Sequence, residues 1–203
     1  MSTLTSTTPP PPAAPAWIPS PLYRMTVEEY EALVASGAFR RRKRFHLING
    51  LLVEKMTQNP PHSIADELCG RELLRIMTPG WHLRTTKPIR LIGQDSKPEP
   101  DRCIVRGEIR DYPQDPGPGD IALIAEISDS SLADDRKLAT EVYGPAGIPV
   151  CWIVDVVARQ VEVYSRPGPA GYGAHEVLMP GHVLAVVIDG VEVGEIAVDD
   201  ILP

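Results

Sequence analysis

Thr26 precedes Val27-Glu28-Glu29-Tyr30-Glu31-Ala32-Leu33-Val34, with Glu29 at the capping-box position and Gly37 as a stop, which predicts a short helix. Two apolar runs then flank Asn49-Gly50, from Phe45 to Glu54. Asn-Gly supplies the positive φ values of a type I′ turn, so this stretch predicts a β-hairpin. After Pro60-Pro61, the residues Ile64, Leu68, Leu73, Leu74 and Met77 recur at helical spacing, predicting a helix over 63–77 that turns its charged residues outward. Strand-like segments follow at 82–91, 102–105 and 121–128, and a second helix is expected over 131–143, before Gly144-Pro145. Val150 to Val154 is a continuous apolar run, as in a strand covered on both faces. Further strands are expected at 161–164, 176–178, 184–188 and 191–193. This order implies an α/β fold: a mixed central sheet flanked by helices, with an N-terminal hairpin and extra C-terminal strands.

Composition adjusts this picture at its ends. The prolines crowd before residue 22, so residues 1–21 are expected to form a Pro-rich tail and residues 22–203 the folded domain. No apolar run approaches the roughly 18 residues of a membrane span, and the N-terminal stretch lacks the charged and apolar regions of a secretory signal. The expectation is a cytoplasmic protein without a membrane partner. Cys69, Cys103 and Cys151 are widely separated and read as buried free thiols. A formal charge of −7 argues against generic electrostatic binding to nucleic acid but leaves room for a local basic patch.

Asp101 opens one predicted strand behind Pro100, and Glu126 interrupts the apolar run of the next. An ionised carboxylate in a sheet is costly unless it is paired or bound to metal. On neighbouring strands, Asp101 and Glu126 can converge on a hard cation such as Mg²⁺, which keeps several waters, one of which can attack a phosphodiester. The competing reading makes Asp101 a turn cap and pairs Glu126 with an arginine.

The motifs Pro100-Asp101, Ala125-Glu126-Ile127-Ser128-Asp129-Ser130-Ser131, Asp135, Tyr143, Ala146-Gly147-Ile148-Pro149 and Trp152-Ile153-Val154-Asp155 occur in that order. With the hairpin from His46 to Glu54 and with His62, this arrangement resembles the Uma family of restriction-endonuclease-like proteins, built on the PD-(D/E)XK nuclease fold, over roughly residues 25–203. The resemblance implies a metal-dependent endonuclease that hydrolyses DNA phosphodiester bonds. Asp101 and Glu126 would hold Mg²⁺ or Mn²⁺, with a lysine supporting the nucleophilic water. DNA is the implied partner, and a homodimer is admitted.

The lysine is where the sequence departs. Ser128 stands two residues after Glu126, where the simplest pattern has lysine. In the Uma type the lysine lies on the following helix, four residues after the aspartate and four before the tyrosine, which here is Ala139. Lys137 is the available candidate, displaced by two positions or roughly 200° around a regular helix. Its bland alternative is an exposed charge paired with Glu141. His46 replaces an acidic residue of the family hairpin, either to meet a metal or phosphate or as a satisfied or exposed histidine, and Glu99 can share the face of Asp101 as a substitute carboxylate or stand as a solvated edge charge. Arg40-Arg41-Arg42-Lys43-Arg44 is the basic run, suited either to phosphate contacts or to a solvated loop. These departures sustain a rival reading, a catalytically impaired nuclease fold that serves as a nucleic-acid or protein interaction module.

Overall fold

The computed structural model describes residues 22–39, 45–55 and 58–203. The Pro-rich tail and the basic run Arg40–Arg44 lie outside the described residues.

Helix α1 (Val27–Ala35) has the expected capping box: Thr26 Oγ1 accepts from Glu29 N–H and Glu29 accepts from Thr26 N–H. Strands β1 (Phe45–Ile48) and β2 (Leu51–Glu54) form the hairpin, with Asn49 at φ 48° and Gly50 at φ 77°, both positive as the turn requires. A β-bridge from Leu47 to Lys97 ties this hairpin to the segment that leads to Asp101.

Helix α2 (Pro60–Arg75) starts three residues before its expected position. The prolines do not break it, because Pro60 occupies the first turn, where a missing N–H is harmless. Asn59 caps it by accepting from His62 N–H. The helix also fails to turn every charge outward, since Asp66 and Glu72 are buried.

Six strands make the central sheet: β3 (Trp81–Thr85), β4 (Arg102–Arg106), β5 (Ile121–Ser128), β6 (Val150–Asp155), β7 (Gln160–Gly168) and β8 (Gly171–Leu178), hydrogen-bonded in that order. All neighbours are antiparallel except β5 and β6. β3 stops short of the expected residue 91 because Thr86 adopts φ 48° and Pro88 has no N–H to donate. The β5–β6 crossover contains α3 (Leu132–Lys137), a π-helical segment (Leu138–Tyr143) and a last turn, α4 (Gly144–Ala146). Strands β9 (Val183–Ile188) and β10 (Val191–Ala197) form a separate hairpin.

Strand alternation sorts the core onto two faces. Leu123, Ala125 and Ile127 of β5 join Ala65, Cys69 and Leu73 of α2 and Leu184 and Ile196 of the last hairpin. Ile124 of β5 and Cys103 and Val105 of β4 face Ala139, Val142 and Tyr143 of the crossover. With a period of two, Asp101 and Glu126 belong to this second face. All three cysteines are buried and free, as expected.

The crossover approaches the β7–β8 turn at backbone distance. A Cβ on Gly144 would lie 2.8 Å from the carbonyl carbon of Gly171 and 3.0 Å from Tyr172 N. Gly144→Ala is therefore expected to lower stability by about 1–3 kcal/mol, as overpacking against backbone does. Urea denaturation of the two proteins checks this.

Candidate active site

β4 and β5 pair antiparallel with Arg102 opposite Ala125, so the next position along sets Asp101 opposite Glu126. Their side chains meet on the crossover face, both buried. Asp101 N–H donates to Glu126 Oε2 at 3.2 Å, and Ile127 N–H donates to Asp101 Oδ2 at 3.0 Å. Tyr143, brought over the sheet by the π-helical segment, donates its hydroxyl to Glu126 Oε1 at 2.5 Å. The arginine partner of the competing reading is not what Glu126 finds: its donors are a phenol and a backbone amide.

Helix α2 adds a second wall. Its capped first turn places His62 Nε2 at 3.2 Å from Asp101 Oδ2, while Gln58 Nε2 donates to Asp101 Oδ1 at 3.3 Å. One turn later Asp66 is clamped by Arg102: Nε is 2.7 Å from Oδ1, and Nη2 donates to the Asp66 carbonyl at 2.8 Å. The guanidinium passes over Gly70, where a Cβ would lie 2.7 Å from Cζ. Arg102 therefore fixes the helix that carries His62 to the strand that carries Asp101.

Burial and like charge raise the proton affinity of this site. Glu126 is pushed well above the carboxylate range, by burial first and then by the charges of Asp101 and Asp135. Asp135 is lifted to about 6, mainly by burial, although the hydroxyls of Ser131 and Ser128 oppose this. Ser131 Oγ donates to Asp135 Oδ2 at 2.6 Å. For His62, burial lowers the pKa, but the hydrogen bond and charge of Asp101 outweigh it and the net shift is upward. Tyr143 is raised by burial and by Glu126.

These strains are what a hard cation relieves. Two buried carboxylates from adjacent strands fit Mg²⁺ or Mn²⁺, ions that take one or two protein carboxylates and complete their shell with water and substrate oxygens. Among the described residues, no three His, Cys, Asp or Glu side chains converge as a ready-made ligand shell.

A cleft of about 270 Å³ opens over the pair, with Asp101, Glu126 and His62 in its lining and both the hairpin and the crossover on its walls. Lys137 reaches only its rim. Its side chain is 66% exposed and its amine lies 3.7 Å from Asp134, rather than pairing with Glu141. Asp135, Ala139 and Tyr143 are buried on the sheet side, as the four-residue spacing anticipates, and Ala139 is fully enclosed in the core. Ser128 is also fully buried. His46 lines the cleft, and burial followed by the charge of Lys55 pushes its pKa down to about 4. Sequence reasoning missed Gln58, Arg102 and Lys55; the only available signal for Arg102 was a charge amid apolar strand residues.

The fold has a counterpart among solved structures. A crystal structure titled "putative nuclease belonging to DUF820" from Anabaena variabilis ATCC 29413 superposes with a TM-score of 0.61 at 16% identity, covering 87% of this chain and 97% of that one. The Uma2 family, described as "Putative restriction endonuclease", matches residues 27–198, and the chain belongs to that family. No curated protein matches it. Among the described residues, no helix is long and apolar enough to cross a membrane.

Proposed function

We propose that the protein is a metal-dependent endonuclease that hydrolyses phosphodiester bonds of DNA, with Asp101 and Glu126 as the ligands of Mg²⁺ or Mn²⁺. The observation that carries this reading is the pair itself: two buried carboxylates set opposite each other, one just before β4 and one on β5, in the lining of a cleft. When bound, the ion supplies an activated water and offsets charge on the phosphate. Tyr143 and the Asp101 amide orient Glu126, while Ile127 N–H, Gln58 and His62 orient Asp101. In the reaction a water oxygen bonds to phosphorus, the bond from phosphorus to the leaving deoxyribose oxygen breaks, and that oxygen ends with a proton. Lys137 stands on the rim, where it can meet the backbone of an entering strand by leaving Asp134.

The rival reading, an interaction module without catalysis, draws support from Ser128 and from the enclosed Ala139, neither of which supplies a cation. Two measurements decide between them. Calorimetric titration with Mn²⁺ is expected to show binding that Asp101→Ala and Glu126→Ala each abolish. Wild type is expected to cut a labelled oligonucleotide in Mn²⁺, and both variants to lose the activity. Mn²⁺ binding unchanged in the double variant removes the site, and failure of wild type to cut single-stranded, double-stranded and branched DNA removes the nuclease.

A further inference from the structure

Resting on that reading, we infer that Lys55 is a catalytic residue: its amine contacts the phosphate being cleaved. Lys55 follows β2 directly and lines the same cleft as Asp101 and Glu126. Its side chain is 16% exposed, against 66% for Lys137. Its Nζ donates to the carbonyl of Glu99 at 3.0 Å and lies 3.5 Å from Glu99 Oε2. Glu99 is two residues before Asp101 on the same segment, so the amine is fixed beside the strand that carries the first carboxylate.

The chemistry of the cleft gives this placement its meaning. Asp101, Glu126, Glu99 and Asp135 all line it, and a phosphodiester brought among them is repelled by whichever of these carboxyls are ionised. A divalent ion offsets part of that charge; a second positive group has to come from the chain. Ser128 cannot supply it, and Ala139 is sealed in the core. His46, on the hairpin beside Lys55, is neutral at pH 7 because burial and the lysine itself disfavour its protonation. Lys137 points to Asp134 at the rim.

Of the two lysines among the described residues that line the cleft, Lys55 is the one held inside. Fixing a lysine there costs most of its side-chain freedom, and an ion pair at 3.5 Å returns little of it in fold stability. A preorganised ammonium held in the cleft returns much more in rate where negative charge develops beside it, because it needs little rearrangement at the moment of reaction.

The test uses the full chain as wild type, Lys55→Met and Lys55→Arg. Three quantities are measured: single-turnover cleavage of a labelled oligonucleotide in Mn²⁺, binding of that oligonucleotide in Ca²⁺ by anisotropy over a range of salt, and Mn²⁺ binding by calorimetry. Lys55→Met is expected to slow cleavage by about 100-fold or more. It should also weaken oligonucleotide binding, with a salt slope smaller by about one, and leave Mn²⁺ affinity within about twofold. Lys55→Arg should recover part of the rate. A wild type that cuts and a Lys55→Met variant that cuts within threefold of it overturn the inference and leave the nuclease standing. Oligonucleotide binding without cleavage by wild type overturns the nuclease, while loss of that binding in Lys55→Met upholds the phosphate contact. Equal binding by both proteins overturns the contact, and a wild type that neither binds nor cuts overturns both readings.

Discussion

Arg102→Met is expected to destabilise the protein by about 3–5 kcal/mol, the cost of leaving one partner of a buried ion pair uncompensated. Arg102 and Asp66 are both buried, and the guanidinium serves the Asp66 carboxylate, the Asp66 carbonyl and the hydroxyl of Thr85 together. Methionine fills much of the volume and supplies none of these donors. Burial already holds the Asp66 pKa above its ordinary value, and Arg102 is the main influence opposing it. Without the guanidinium that pKa rises further. Asp66 then binds its proton more tightly when folded, so the deficit is full at pH 7 and shrinks as pH falls through the carboxylate range. Urea denaturation at pH 7 and pH 5 measures both the loss and its partial recovery. An unchanged midpoint at pH 7 dismisses the clamp. Because the clamp sets α2 against β4, Lys55 and the hairpin should be less affected than the contact between His62 and Asp101.

The sequence reveals most where the local pattern and the tertiary environment agree. Asn49-Gly50 dictates its turn with any partner, and Thr26 with Glu29 closes its capping box within four residues. The eight residues of β5 are buried on both faces, as their apolar run indicates, and Glu126 stands out in that run because its burial is so unfavourable. The same logic fails where a polar residue is buried in a helix. Asp66 reads as a solvated charge on α2 because its compensation comes from elsewhere: Arg102 lies 36 positions away, and helical spacing carries no trace of it, whereas Glu72 pairs within the helix with Arg71 and Arg75. Lys55 was hidden for a related reason. Its partner Glu99 is 44 residues distant, brought near by the bridge between Leu47 and Lys97 and by the bonds from Asn49 and Gly50 to Ser96 and Asp95. For Lys137, the four-residue spacing from Asp135 to Tyr143 did indicate the face, since the buried side of the crossover runs through Ala139 and leaves Lys137 outside it.

Asp135→Asn is expected to stabilise the metal-free protein above pH 6 by up to about 3 kcal/mol. Burial lifts this carboxyl from its ordinary 3.8 to about 6. A difference of about 2 pH units corresponds to roughly 3 kcal/mol by linkage. The sign follows from which state holds the proton more tightly. Below pH 3.8 Asp135 is protonated whether folded or unfolded, and it imposes no penalty. Between pH 3.8 and about 6 the unfolded chain ionises first, so the native state loses ground as pH rises, and above 6 the penalty is complete. Asparagine removes the charge and still accepts from the Ser131 hydroxyl, which donates to Oδ2 in the native site. Denaturation in EDTA should therefore show a gain at pH 7 that vanishes near pH 3.5; a gain of equal size at both, or a loss at pH 7, contradicts the account. Mn²⁺ should shrink the advantage. A cation held by Asp101 and Glu126 lowers the local negative potential that Asp135 faces and so stabilises wild type more than the variant, by an amount that grows with ion concentration.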